Sequence, residues 1–400
     1  MNSVELFVGA GGLALGLAES GFRHAALIER DHQACETLRE NQRRGRLGAD
    51  AWPLFEGDSR EFDYGAVRCP VDLLAAGVPC QPFSIGGKHA GDRDERNMFP
   101  EVARAVRHLR PRAVLLENVR GLLRRGFARY FSYVQLSVAY PELTAKPNEG
   151  WLDHLGRLER YHTSGRRSGL YYRVVFRHLN AADYGVPQRR ERVFIVAIRG
   201  DLSVEWSFPK PTHGFESLIW SKWISGGYWE RHCVPKRLRP QPGPGWGARL
   251  KQLSLFPPAR EPWRTVRDAI SDLPKPSRLR GAEEPALCHF LVPGARRYAG
   301  HTGSDLDHPA KTLKAGDHGV PGGENMLAER YGAVRYFTLR ECARIQAFPD
   351  EFVFPGSWTE SMRQIGNAVP VSLARVIGEH LVETLRRADP QANAGTTAAV

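Results

Sequence analysis

Within the first 200 residues, short unbroken apolar runs alternate with segments of helical periodicity, and few folds accommodate that alternation. Val4–Val8, Ala25–Glu29, Val71–Ala75, Ala113–Glu117 and Val193–Ile198 read as strands. Leu13–Ser20 and Phe99–Leu109 read as helices, and Asp31 is placed to cap another. A strand that is apolar along its whole length is buried on both faces. That requires a parallel sheet with helices packed above and below it. The expected fold class is therefore α/β, doubly wound.

The texture changes after Gly200. Residues 207–300 are rich in Pro, Gly, Trp and Arg, with weak periodicity, and read as a second, loop-rich domain. Helical pattern returns at Thr338–Gln346 and over the amphipathic stretch Val371–Arg387. Residues 389–400, rich in Ala, Thr and Gly, read as a frayed end. Residues 126–169 carry aromatics and arginines without clear period and read as an irregular insertion. No internal repeat is evident.

Charge is unevenly spread along the chain. Residues 101–200 hold 19 Lys and Arg against 8 Asp and Glu, and residues 201–300 hold 16 against 9, while both ends are slightly acidic. A basic middle suits a polyanion, most simply nucleic acid. The six cysteines form no C-x-x-C pair and no zinc spacing, so neither a metal site nor a disulfide framework is expected. With no apolar run of 18 residues and no signal-peptide pattern, the expected home is the cytoplasm.

Four segments carry chemistry. Gly9-Ala10-Gly11-Gly12 follows a strand and opens a helix, so bare backbone can approach a ligand. Glu29 ends the next strand, where a carboxylate can accept from ribose hydroxyls, and Asp58 can meet an adenine amino group. The third glycine of G-x-G-x-x-G is missing, which favours a nucleoside cofactor without a pyrophosphate. The alternative is a turn with glycines for packing only. Pro79-Cys80-Gln81-Pro82 follows a buried strand, and a cysteine between prolines sits on a rigid turn where its thiolate can attack. Glu117 ends a strand expected beside it and can act as an acid, or else serve as a cap or loop charge. Arg190 and Arg192 alternate onto one side of the run Gln188–Arg192, facing a carboxylate or carbonyl, or else lining a solvated edge.

Together and in this order, these segments resemble the DNA cytosine-5 methyltransferases. So do Arg340-Glu341, Gln346–Pro349 and Gln364–Pro370. The resemblance covers most of the chain outside residues 126–170 and 201–310. It implies a Rossmann-like, S-adenosylmethionine-dependent methyltransferase domain with a smaller target recognition domain inserted. We place the first at 1–200 and 357–400 and the second at 201–356.

By that resemblance Cys80, preceded by Pro79, attacks cytosine C6. Glu117 binds N3 and the exocyclic amine, Arg192 holds O2 and orients Glu117, and Arg190 supports the loop. Phe7, Gly9, Gly11, Gly12, Glu29, Asp58, Asn367 and Val369 would hold the cofactor. Gln81, Ser84, Lys88, Arg96 and Gln188 would meet DNA, with Gly86-Gly87 lending flexibility to a closing loop. The implied partners are double-stranded DNA and a paired restriction endonuclease, with the protein a monomer. Glu5 stands where the family commonly has Asp, and the interval from Glu117 to Gln188 is longer than in compact members.

Three other readings compete with this one. An RNA cytosine methyltransferase shares the motifs, but the long Pro/Trp/Arg-rich insert favours duplex DNA. A non-catalytic DNA-binding relative is disfavoured by the intact Pro79-Cys80, Glu117 and Arg192. A nicotinamide-linked oxidoreductase lacks support from the glycine pattern.

Overall fold

The computed structural model describes residues 1–48, 52–79, 98–276, 288–299, 301–315, 325–329 and 332–388. The chain divides into two compact units. The first comprises Met1–Leu179, Glu191–Pro209 and Ala374–Val400; the second comprises Asn180–Arg190 and Lys210–Leu373.

The first unit runs β1 (Asn2–Leu6), α1 (Gly12–Glu19), β2 (Arg23–Glu29), α2 (His32–Arg43), β3 (Leu54–Glu56), β4 (Leu73–Gly77), α3 (Phe99–Leu109), β5 (Ala113–Val119), α4 (Ala128–Ala139), α5 (Trp151–Thr163), β6 (Tyr172–Asn180) and β7 (Glu191–Arg199). These seven strands form one sheet in the order β3-β2-β1-β4-β5-β7-β6. The β1–β2, β1–β4, β2–β3 and β4–β5 pairs are parallel. The doubly wound α/β class expected from the alternation is the one observed. One strand departs from it: β7 runs antiparallel to β5. Its apolar run could not reveal direction. The segment between β6 and β7 is only ten residues without an α-helix, too short for a parallel crossover.

Alternate side chains supply the two faces of the sheet. Val4, Leu6, Ile28, Leu74, Val114, Leu116, Val193 and Ile195 join Val102, Val106, Phe131 and Val134 of α3 and α4 in one core. Leu27, Leu73, Leu115, Phe194 and Val196 are fully buried as well. Each such side chain contributes about 1.5–3 kcal/mol on leaving water. The chain's last described helix, α12 (Val371–Arg387), belongs to this unit from Ala374 onward. Gly378 lies so close to Ser20 after α1 that any Cβ would collide with it. The Arg112 guanidinium donates to the carbonyl of Leu385 at 2.8 Å.

Residues 126–169, read above as irregular, hold helices α4 and α5, and that expectation is corrected. Neither helix has a side-chain N-cap, so no start signal exists to be read. Their packing is aromatic: the Tyr133 and Trp151 rings lie 5.8 Å apart and Tyr130 and Trp151 5.4 Å apart. His154 is buried, with Nδ1 3.0 Å from the Tyr133 hydroxyl and Nε2 2.7 Å from the Leu143 carbonyl. Burial pushes its pKa down.

The second unit contains β8 (His213–Gly214), α6 (Phe215–Trp223), α7 (Gly227–Arg231), α8 (Gly247–Leu255), β9 (Glu261–Pro262), α9 (Val266–Ile270), β10 (Ser304–Asp305), β11 (Met326–Ala328), β12 (Val334–Tyr336), α10 (Leu339–Ile345) and α11 (Trp358–Asn367). The stretch read as loop-rich thus carries four short helices. Leu218, Tyr228, Trp229 and Val234 form a small core there. Thr338 caps α10 reciprocally with Glu341, the capping box of a helix start.

Candidate active site

The carboxyl ends of β1 to β5 carry most of the residues singled out in the first unit, and Arg192 lies at the start of β7. After β1 the backbone turns through left-handed conformations at Phe7 (φ 59°), Gly9 (φ 57°) and Gly11 (φ 83°). The φ of Gly11 favours glycine, and a Cβ there would also press on Leu38 Cδ2 at 2.8 Å. Gly9 has open space where its Cβ would stand. Gly12 is the first residue of α1 and is buried.

Glu29, at the end of β2, is 9% exposed. Its Oε2 accepts from the Gly9 amide at 2.8 Å and its Oε1 from the Asp31 amide at 2.8 Å. Each oxygen keeps a lone pair for a further donor. Asp31 caps α2, accepting from Ala34 N at 2.9 Å. Asp58 caps a 3-10 turn and pairs with Arg60 at 2.6 Å, and that hydrogen bond holds its carboxyl down at about 2. From α3, Arg104 donates to the carbonyls of Ser59 at 3.0 Å and Arg60 at 3.2 Å. It also pairs with Glu101, which accepts from Tyr64 Oη at 2.8 Å. This brace of the Asp58 turn was not read from the sequence, because an Arg three residues after a Glu looks like a solvated helix pair.

β4 leads into Val78 and Pro79. The Val78 amide donates to the Glu117 carbonyl at 3.3 Å, and the Asn118 side-chain amide donates to the Val78 carbonyl at 3.2 Å. The chain just before Cys80 is therefore stitched to the end of β5. Cys80, Gln81, Ser84, Lys88 and Arg96 lie outside the described residues. Glu117 is 7% exposed, and its Oε1 stands 2.9 Å from Arg192 Nε on β7. β7 brings the guanidinium there because Arg192 pairs with Val119, two residues beyond Glu117 on the neighbouring strand.

Glu5, the residue that departs from the resemblance, is 1% exposed, and its Oε2 has no hydrogen-bond partner. Burial, and then the nearby Glu29 carboxylate, push its pKa well above the ordinary range. Both effects favour its neutral, protonated form.

The remaining singled-out residues belong to the second unit. Gln188 is fully buried: Nε2 donates to Gln346 Oε1 at 2.8 Å and Oε1 accepts from the Leu313 amide at 2.9 Å. Read as a DNA contact, it has this side-chain amide engaged inside its unit. Arg190, also fully buried, donates to the carbonyls of Leu313 at 3.2 Å and Gly366 at 2.8 Å. Gln346 donates to the carbonyls of Ile365 at 2.7 Å and Ala368 at 3.0 Å. These three side chains knit the Gln364–Pro370 segment in place. Within it Asn367 is exposed and Val369 is 5% exposed.

Among the described residues no helix is long and apolar enough to cross a membrane, and no group of His, Cys, Asp and Glu could hold a metal ion.

A family model described as C-5 cytosine-specific DNA methylase matches residues 1–136, 163–223 and 284–383. The Type II methyltransferase M.PspPI of Psychrobacter sp. is 33% identical over 387 residues, covering 96% of this chain and 80% of that protein. The Type II methyltransferase M.Eco47II of Escherichia coli is 34% identical over 383 residues, covering 96% and 79%. In fold, the solved S. pombe Dnmt2 methyltransferase superposes with a TM-score of 0.54 at 17% identity, covering 97% of this chain and 98% of that one. The chain belongs to the C-5 cytosine-specific DNA methylase family: it is a DNA (cytosine-5)-methyltransferase.

Proposed function

We propose that the protein methylates carbon 5 of a cytosine turned out of a specific duplex DNA sequence, through a covalent bond from Cys80 to C6. The observation that carries this is the Glu117–Arg192 pair at the end of β5, with the segment leading to Cys80 hydrogen-bonded to the same strand end.

The cofactor we infer is S-adenosylmethionine, and the residues present suit it. Open space at Gly9 and the remaining lone pairs of Glu29 offer a cradle for a nucleoside with ribose hydroxyls. We assign Phe7, Gly9, Gly11, Gly12, Glu29 and Asp58 to it, and Asn367 and Val369 on the family pattern. When bound, it supplies an electrophilic methyl on a sulfonium centre, which the activated C5 takes.

Cytosine C5 is a poor nucleophile until a thiolate adds to C6. Cys80 makes that bond, and the electron pair moves onto C5 as an enamine. Glu117, as the acid, donates its proton to N3 and accepts from the amino group, offsetting the negative charge that develops on the ring. Arg192 holds Glu117 in place and offers its remaining N–H groups to O2. Loss of the C5 proton to a base then expels Cys80 and restores the aromatic ring. None of these atoms is reachable in a stacked duplex, so the base swings out.

We assign sequence recognition to residues 201–356 and the loop bearing Gln81, Ser84, Lys88 and Arg96 to DNA contact. On the names of the relatives, we place the protein beside a restriction endonuclease, protecting host DNA. Bisulfite sequencing of DNA from cells expressing the chain tests the reaction and gives the target sequence. Trapping on duplex DNA with 5-fluorocytosine tests the covalent step, because fluorine at C5 blocks the last proton removal. A Cys80→Ser variant that still turns over removes the covalent mechanism.

A further inference from the structure

The two most exposed large apolar side chains among the described residues are neighbours. Leu255 is 67% exposed and Phe256 73% exposed. They close α8, which is fastened to the second unit along its length. Leu253 is 6% exposed, Arg249 pairs with Glu216 of α6 at 2.6 Å, and the Trp246 ring lies 5.4 Å from that of Trp223. The helix ends at Leu255, Phe256 is extended (φ −129°, ψ 82°), and Pro257-Pro258 bar any continuation. Gln252, exposed, precedes Leu255 and Phe256 by three and four residues, a spacing that brings all three to one side of a helical turn.

An adjacent leucine and phenylalanine held out on a stiff support are costly to leave in water, and such exposure marks an interaction site. The support fixes the pair in advance, so little ordering is needed to seat them. The eight residues Gln252–Ala259 carry no charge, so the pair sits in a short neutral stretch between Lys251 and Arg260. Further out the surroundings are basic. The 30 residues from Arg231 to Arg260 contain seven Lys and Arg and no Asp or Glu. An apolar cleft with an acidic rim and a polar notch for the glutamine amide complements this arrangement.

We propose that Gln252, Leu255 and Phe256 form a hook that docks in such a cleft on a DNA-encircling ring of the replication machinery. The enzyme acts on DNA, and each passage of a fork leaves a new strand without its methyl groups. A tether to a ring on that duplex raises the local concentration of enzyme where substrate appears. None of the three residues is among those assigned to the chemistry or to the cofactor.

Surface plasmon resonance of the full chain over a purified bacterial sliding clamp tests this. The expected result is saturable binding, weakened at least about tenfold by the double change Leu255→Ala and Phe256→Ala and several-fold by Gln252→Ala. Thermal unfolding stays unchanged in both variants. Absence of binding, or binding that survives the double change, overturns the proposal. Loss of short-duplex affinity in the double variant also overturns it, making the pair a DNA wedge. A wild-type dimer that the double change dissociates does so too, making a second copy the occupant.

Discussion

Arg192 Nε and Glu117 Oε1 stand 2.9 Å apart across two antiparallel strands, with both side chains almost wholly removed from solvent. The guanidinium is planar and presents a fixed fork of donors, so it sets where the carboxylate points as well as offsetting its charge.

Replacing Arg192 with Lys keeps the charge and loses the fork. We expect kcat to fall by about tenfold to a hundredfold, with cofactor affinity little changed. Glu117→Gln, which cannot offer an acid or a full charge, falls further. Single-turnover transfer of labelled methyl to duplex DNA, set beside equilibrium binding of S-adenosylmethionine, reads both. Equal activity of Arg192→Lys and wild type would mean that orientation of Glu117 is unimportant.

Glu5 carries a pH signature. Its folded pKa is raised by burial and by Glu29, so above the ordinary carboxylate range the folded chain holds a proton that the unfolded chain has released. Stability contributed by that neutral acid is present at low pH and is lost as pH rises through the raised value. Glu5→Gln, neutral and nearly isosteric, removes this dependence. Denaturant unfolding across the pH range should show a wild-type decline above the ordinary carboxylate range that the variant lacks.

Lys222 gives the opposite slope. It is 3% exposed, donates to the Asp307 carbonyl, and lies over the Tyr228 ring at 5.1 Å. Burial lowers its pKa to about 8, against the opposing pull of Asp307, Asp305 and Asp268. The unfolded chain binds the proton more tightly, so a penalty on the order of 3 kcal/mol sets in as pH falls from the ordinary lysine value to about 8. Between those values wild-type stability rises with pH, and in Lys222→Met the rise disappears. Parallel curves for the two proteins would show that the amine stays solvated.

Gly366 has no room for a methyl group. A Cβ there would lie 2.5 Å from the backbone nitrogen of Ala315, which cannot move aside as a side-chain tip can. Gly366→Ala should therefore destabilise the second unit by about 2 kcal/mol or more. Arg190→Ala should do likewise, by stranding the Leu313 and Gly366 carbonyls. Limited proteolysis, mapped by mass spectrometry, would show cleavage confined to that unit. Wild-type resistance in Gly366→Ala would mean that the segment 313–315 yields easily.

The sheet was legible because its central strands are apolar on both faces, and nothing but a covered parallel sheet satisfies Leu73–Ala76 or Ala113–Leu116. The α2 start was legible too, since Asp31 is the ordinary capping residue. The direction of β7 was not, because Val193–Ile198 is equally apolar either way. Helices α4 and α5 were hidden because their interface is aromatic and uncapped. At the site, sequence order points to Glu117 and Arg192, but only register shows that one guanidinium meets the carboxylate. Arg190 looks in sequence like the twin of Arg192, yet its hydrogen bonds go to carbonyls of the second unit. The buried, unpartnered oxygen of Glu5 has no sequence signal beyond an extra methylene.

The packing of α12 against α1 has a bearing on how the enzyme is made. Gly378 rests on Ser20, and Arg112 reaches the Leu385 carbonyl, so residues synthesised first wait for residues more than 270 positions later. Until those emerge, the side of α1 that α12 covers stays open to water and to chaperones. A ribosome-bound chain halted before Ala374 would carry every residue assigned to the chemistry and still lack the lid of its own core.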